Sequence, residues 1–191
     1  MNIKLKFFSY LFVIFLFLIV SCEDNYIPKP KGYFRIDMPP HSYKVFDTIF
    51  PYKFEYSKYA EYKIYNKDSA WINIIYPKFK ATIHITYKNP AMENLNEILD
   101  ETQTLAYKHT LKADAIDETN ITDTIHKVYG LMYYMEGNSA SNIQFYITDS
   151  VKHFFRGALY FDVRPNYDSL RPVISYLKED IKHLISSMRW K

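Results

Sequence analysis

Glycine is scarce in this chain, four among 191 residues, at positions 32, 130, 137 and 157. They form no run that could cradle phosphates, neither a Walker A loop nor a dinucleotide fingerprint, so nucleotide-dependent chemistry is not expected. Cysteine occurs once, at Cys22, so no internal disulfide holds the fold together and packing must do so. An excess of one charge is also missing. Removing Lys4 and Lys6 with the N-terminal leader described below leaves 22 Lys and Arg against 21 Asp and Glu. Both signs alternate along the chain, without the basic stripe that displaces counterions from a duplex, so no nucleic acid is expected as a partner. What the chain has in quantity is ring area: 19 Tyr and 14 Phe within a composition that is 48% apolar. That stock excludes disorder and suffices for the core of one globular domain with appendages.

The N-terminal 22 residues carry an address. Lys4 and Lys6 precede an apolar stretch, Phe7 to Val20, interrupted only by Ser9. The stretch is too short to span a bilayer, which takes about 20 residues, and has the form of a secretory signal. It ends at Ile19-Val20-Ser21-Cys22, which resembles a bacterial lipobox. On that reading residues 1–21 are a lipoprotein signal peptide and Cys22 becomes the lipidated N-terminus, carrying acyl chains such as palmitate that hold the protein at a membrane. Residues 22–40 contain Pro28, Pro30, Pro39 and Pro40 with Lys29 and Lys31 between them, an extended tether with polyproline character.

Residues 41–191 read as a single α+β domain, an antiparallel sheet packed with two or more helices. Lys80 to Tyr87 alternates strictly and follows Trp71 to Tyr76 across Pro77-Lys78-Phe79, which predicts a hairpin. Asn89-Pro90 predicts the start of an amphipathic helix that runs to about Ala113. Ile125 to Glu136, Ile143 to Thr148 and His153 to Val163 predict a three-stranded meander, in which Gly130 and Gly157 mark bulges or closely packed neighbours. A last helix starts at the Asp168-Ser169 cap and carries Leu170, Val173, Ile174, Leu177, Ile181, Leu184, Ile185 and Met188 on one stripe. Its Lys178-Glu179-Asp180 segment reads as solvated face. In element order and in the closing aromatic Trp190 the domain is similar to the PsbP and Mog1 group of folds.

Catalytic signatures are missing. The six histidines, at 41, 84, 109, 126, 153 and 183, show no metal-ligand spacing, and His84 and His183 read as solvated. Gly137-Asn138-Ser139-Ala140-Ser141 lacks the second glycine of a nucleophile elbow and reads as a hairpin loop. Glu136 and Asp149 flank one strand, where acids more often form turns than a glycosidase pair. No catalytic residue, cofactor or metal is expected. One pattern recurs: Asp47-Thr48-Ile49, Asp68-Ser69-Ala70, Asp123-Thr124-Ile125, Asp149-Ser150-Val151 and Asp168-Ser169-Leu170 are each Asp, hydroxyl residue, apolar residue. This form resembles the O-glycosylation signal of gliding-type bacteria, which makes Thr48, Ser69, Thr124, Ser150 and Ser169 candidate sugar sites, although turns and caps favour the same pairs.

The mature start, Cys22-Glu23-Asp24-Asn25-Tyr26-Ile27-Pro28-Lys29-Pro30-Lys31-Gly32-Tyr33-Phe34-Arg35-Ile36-Asp37, resembles that of the gliding motility lipoprotein GldD family. So do Phe154-Phe155-Arg156-Gly157-Ala158-Leu159-Tyr160-Phe161 and the terminal Ser186-Ser187-Met188-Arg189-Trp190. The resemblance implies a non-enzymatic lipoprotein of the cell envelope, facing the periplasm and required for surface gliding. It also implies proteins of the gliding and type IX secretion machinery as partners. Of functional residues it carries over only the lipidated Cys, at Cys22. The partner contact is expected around Tyr33, Phe34 and Arg35, because aromatics and Arg dominate interface energetics. The alternative is a lipid-anchored ligand-binding or hydrolytic domain that uses the aromatic sheet face as a pocket.

Overall fold

The computed structural model of the protein describes residues 36–108 and 113–191. In chain order its elements are β1 (Tyr43–Asp47), β2 (Tyr52–Ser57), β3 (Glu61–Asn66), β4 (Trp71–Tyr76), a 3-10 turn (Pro77–Phe79), β5 (Ala81–Lys88) and α1 (Leu95–Lys108). After these come β6 (Ala115–Asp123), β7 (Val128–Glu136), β8 (Ile143–Thr148), β9 (Phe154–Phe161), α2 (Tyr167–Ser186) and β10 (Arg189–Trp190). Seven strands form one sheet in the order β3-β4-β5-β9-β8-β7-β6, and β1-β2-β10 form a second, small one. Among the described residues all pairings are antiparallel, and with the two helices there the architecture is α+β as the sequence predicts.

Strand periodicity gives the large sheet two unlike faces. On the inner face Ala81, Ile83 and Ile85 of β5 lie beside Phe155 and Leu159 of β9 and Ile143, Phe145 and Ile147 of β8, all nearly inaccessible to solvent. The small sheet and α2 pack over this face. Phe54 and Tyr52 of β2 meet Phe155 edge-on, at 5.9 and 5.0 Å between ring centroids, and Val173, Ile174, Leu177, Ile181, Leu184 and Ile185 of α2 join the same core. Met188, expected on the α2 stripe, is fully buried but lies just beyond the helix.

Gly157 faces inward between β5 and β8, and a Cβ there would stand 2.4 Å from the Phe145 ring. At Gly130 a Cβ would stand 1.9 Å from the main-chain oxygen of Tyr146. Both glycines therefore mark close approach of a neighbour. Elsewhere the shortage of glycine shows in the turns. Each of four hairpins puts a different residue in the left-handed region, Ala70 (φ 54°), Lys80 (φ 49°), Lys127 (φ 53°) and Ser150 (φ 66°), at about 1–2 kcal/mol each.

The element ends depart from expectation in instructive ways. α1 starts at Leu95 and not at Pro90. Asn89 Oδ1 accepts the Ala91 N–H and closes a turn, while Asn94 Oδ1 accepts the Asn96 N–H and its Nδ2 donates to Glu97 Oε1. Asn94 thereby caps the first turn with its side chain and outcompetes the Asn-Pro signal five residues earlier. At the other end α1 is described through Lys108, and Ala113 is not helical. The first meander strand begins at Val128, because Asp123 Oδ1 accepts the N–H groups of Ile125 and His126 and bends them into a turn. The third runs Phe154–Phe161. α2 starts at Tyr167, whose N–H is accepted by Asn138 Oδ1, whereas the Ser169 hydroxyl donates to Asn166 O instead of capping.

Candidate functional site

A group of polar and aromatic side chains gathers where the chain enters the domain. Asp180, on α2, is 2% exposed, which corrects its reading as solvated helix face. Its Oδ1 lies 2.7 Å from His41 Nδ1 and its Oδ2 accepts the Tyr76 hydroxyl at 3.1 Å. The ring of His41 stacks on Tyr176 at 4.4 Å. Burial, followed by the charge and hydrogen bonding of Asp180, pushes the Tyr43 hydroxyl up to about 12, and the same influences raise Tyr76 further. A buried carboxylate is tolerated only when donors surround it, and here His41, Tyr43 and Tyr76 supply them.

His183, expected in solvent, stacks on Tyr43 at 3.6 Å and places Nε2 2.7 Å from Glu55 Oε2 on β2. Its helix-surface spacing places it beside the edge of the small sheet, which covers it. Met38 packs on the core and the Asp37 carbonyl accepts Lys78 Nζ, so both residues are held against the domain. Together these contacts latch the segment that leads into β1. The spacing that could have revealed Asp180 is its four-residue separation from both Tyr176 and Leu184, which places it on the buried stripe.

The remaining histidines have separate partners. His84 Nδ1 lies 2.8 Å from Asn73 Oδ1 on the exposed outer face, and His126 Nδ1 lies 2.7 Å from Asp123 Oδ2. His153 stacks on Trp190 at 5.0 Å and hydrogen-bonds Tyr87. His109 lies outside the described residues. Among the described residues no three His, Cys, Asp or Glu converge on a metal site.

Glu136 and Asp149 stand at opposite ends of β8, a strand length of about 20 Å apart, so they are not brought together. Asp149 is a turn former: its Oδ1 accepts the N–H groups of Val151, Lys152 and His153, and these bonds hold its pKa below the usual carboxylate value despite partial burial. The Gly137–Ser141 segment is the β7–β8 hairpin loop.

Four of the candidate sugar sites lie in hairpin turns: Thr48 between β1 and β2, Ser69 between β3 and β4, Thr124 between β6 and β7, Ser150 between β8 and β9. Thr124 and Ser150 are exposed, while Ser69 and Ser169 are half-buried and Ser169 lies in the first turn of α2. Cys22, Tyr33, Phe34 and Arg35 lie outside the described residues.

A cleft of about 330 Å³ between β6, β7 and α2 is walled mainly by Ile121, Val128, Met132 and Ile185. A second, of about 290 Å³, lies against Tyr65, Trp71, Asn73 and His84. Neither brings a nucleophile to a base or pairs two acids.

The geometry defines an antiparallel α+β domain latched at its N-terminal approach, in which the titratable groups hold structure together. The family model described as gliding motility lipoprotein GldD matches residues 23–190, and the chain belongs to that family. It is accordingly a membrane-anchored lipoprotein of the cell envelope associated with gliding motility. No helix among the described residues is long and apolar enough to cross a membrane. A search of the curated proteins found no match.

Proposed function

We propose that this lipoprotein is a non-catalytic accessory or assembly factor of the gliding and type IX secretion machinery, anchored through acylated Cys22 and facing the periplasm. The observation that supports this reading is the latch. His41, at the domain end of the tether, is bonded to a carboxylate buried under α2, so the domain is attached to its anchor at a defined point. From Cys22 to that point the chain reaches about 60–70 Å at full extension, which sets the distance from the membrane within which a partner is engaged. The apolar cleft walls fit protein contact better than substrate turnover, because a site for chemistry needs convergent polar groups. Tyr33, Phe34 and Arg35 are the proposed contact, and Thr48, Ser69, Thr124, Ser150 and Ser169 the proposed sugar carriers, with Thr124 and Ser150 the most accessible. Intact mass of the native protein reads their occupancy.

The test replaces Phe34 and Arg35 together with Ala. Gliding or secretion is lost while the melting temperature and abundance stay unaltered, and Cys22→Ala moves the folded protein out of the membrane fraction. If Glu136→Gln instead abolished function at unaltered stability, an acid would have a chemical role and the non-catalytic reading would fail.

A further inference from the structure

The outer face of the large sheet holds a cation that no described carboxylate pairs with in an ion pair. Arg156 on β9 points to this face between Thr86 of β5 and Tyr146 of β8, its partners in register. Its Nη2 donates to Gln144 Oε1 at 2.7 Å, but among the described residues no carboxylate forms an ion pair with it. The carboxylate whose charge acts on it, Glu101 of α1, is bound to Lys88 Nζ at 3.1 Å. Gln144 is 1% exposed, and two buried nitrogens here, Gln144 Nε2 and Arg156 Nε, have no hydrogen-bond partner. Buried donors are satisfied in stable folds, so the partners missing from both nitrogens are acceptors.

We propose that Arg156 and Gln144, on the outer face beneath α1, bind a small carboxylate. A carboxylate supplies two acceptor oxygens and one negative charge, matching the planar guanidinium donors. A doubly charged phosphate fits worse, because Glu93 and Glu101 stand beside the site and Lys88 is already shared between them. Access is through α1. That helix buries only Ile98, Thr102 and Ala106, so it is the cover that opens most easily, as weakly packed elements do. The site is independent of the anchor and of the tether contact, and its failure would leave the proposed function untouched.

The experiment is thermal unfolding of the mature protein in detergent, with acetate or phosphate replacing chloride at constant ionic strength. Acetate at a few times its Kd raises the Tm by about 2–4 °C, and phosphate does less. Arg156→Met abolishes the response. Gln144→Glu builds the missing carboxylate into the chain, so it raises the Tm in chloride and also abolishes the response, which keeps the test open if Arg156→Met does not fold. A wild-type Tm that follows ionic strength alone overturns the proposal and leaves the two donors to buried water. A phosphate response as large as that of acetate overturns the carboxylate assignment.

Discussion

The two faces of the seven-stranded sheet are built from the same strands, yet they are held in different ways. On the inner face aromatic rings from three elements interlock, with Tyr52, Phe54 and Phe155 nearly inaccessible to solvent. The outer face carries Arg156, Gln144, His84 and Asn73 between its apolar residues, and its own cluster is small, with Ala106 of α1 over Tyr133 and Met135. The difference shows which layer is indispensable. Buried apolar area stabilises in proportion to its extent, so the inner layer holds the fold while the outer layer is free to carry polar groups that the fold does not need.

Four substitutions test this contrast, in order of decreasing effect. Gly130→Ala on the inner face directs a Cβ at main-chain atoms that have no room to yield, and the protein fails to fold or loses more than ~3 kcal/mol in urea denaturation. Next, Phe155→Ala costs about 3–5 kcal/mol and Ile98→Ala, on the buried side of α1, about 2 kcal/mol, at the low end for a buried aliphatic residue. An Ile98→Ala loss equal to that of Phe155→Ala would place α1 in the indispensable layer and break the comparison. The smallest effect tests the strain in the turns: Lys127→Gly, at φ 53°, is neutral or stabilising by up to about 1 kcal/mol.

The latch is probed by pH. In the unfolded chain Tyr43 gives up its proton near 10, but in the fold it keeps the proton to about 12. Above pH 10 the unfolded state therefore binds fewer protons than the native state, and stability falls as pH rises from 10 to about 12. Asp180→Asn removes the charge that contributes to this shift. The alkaline loss becomes shallower, and stability at neutral pH drops by about 1–3 kcal/mol as charge-assisted bonds to His41 and Tyr76 weaken. Urea melts across pH, with phenolate absorbance, measure both. An unchanged alkaline slope would mean that burial alone sets the Tyr43 shift.

Local signals determined the lipidation signature, the β4–β5 hairpin, the core stripe of α2 and the loop after β7, because each is written in consecutive or periodic residues. Ala81, Ile83 and Ile85 face inward as their alternation requires. β6 was not legible. Its sequence, Ala-Ile-Asp-Glu-Thr-Asn-Ile-Thr-Asp, is polar on both sides, since it is an edge strand whose state is set by pairing along the whole of β7. Where two capping signals competed, at Asn89 and Asn94, the composition of the segment did not choose between them, and the Asn94–Glu97 pair did. Asp180 sits between Glu179 and Ile181 in a run that looks solvated, and only the approach of His41 and Tyr76 from distant parts of the chain makes its burial tolerable. Arg156 likewise reads in the sequence as an ordinary strand cation, and only the fold leaves it without an ion pair among the described residues. A charge's environment is made by whatever the fold brings against it, and that is decided by tertiary packing.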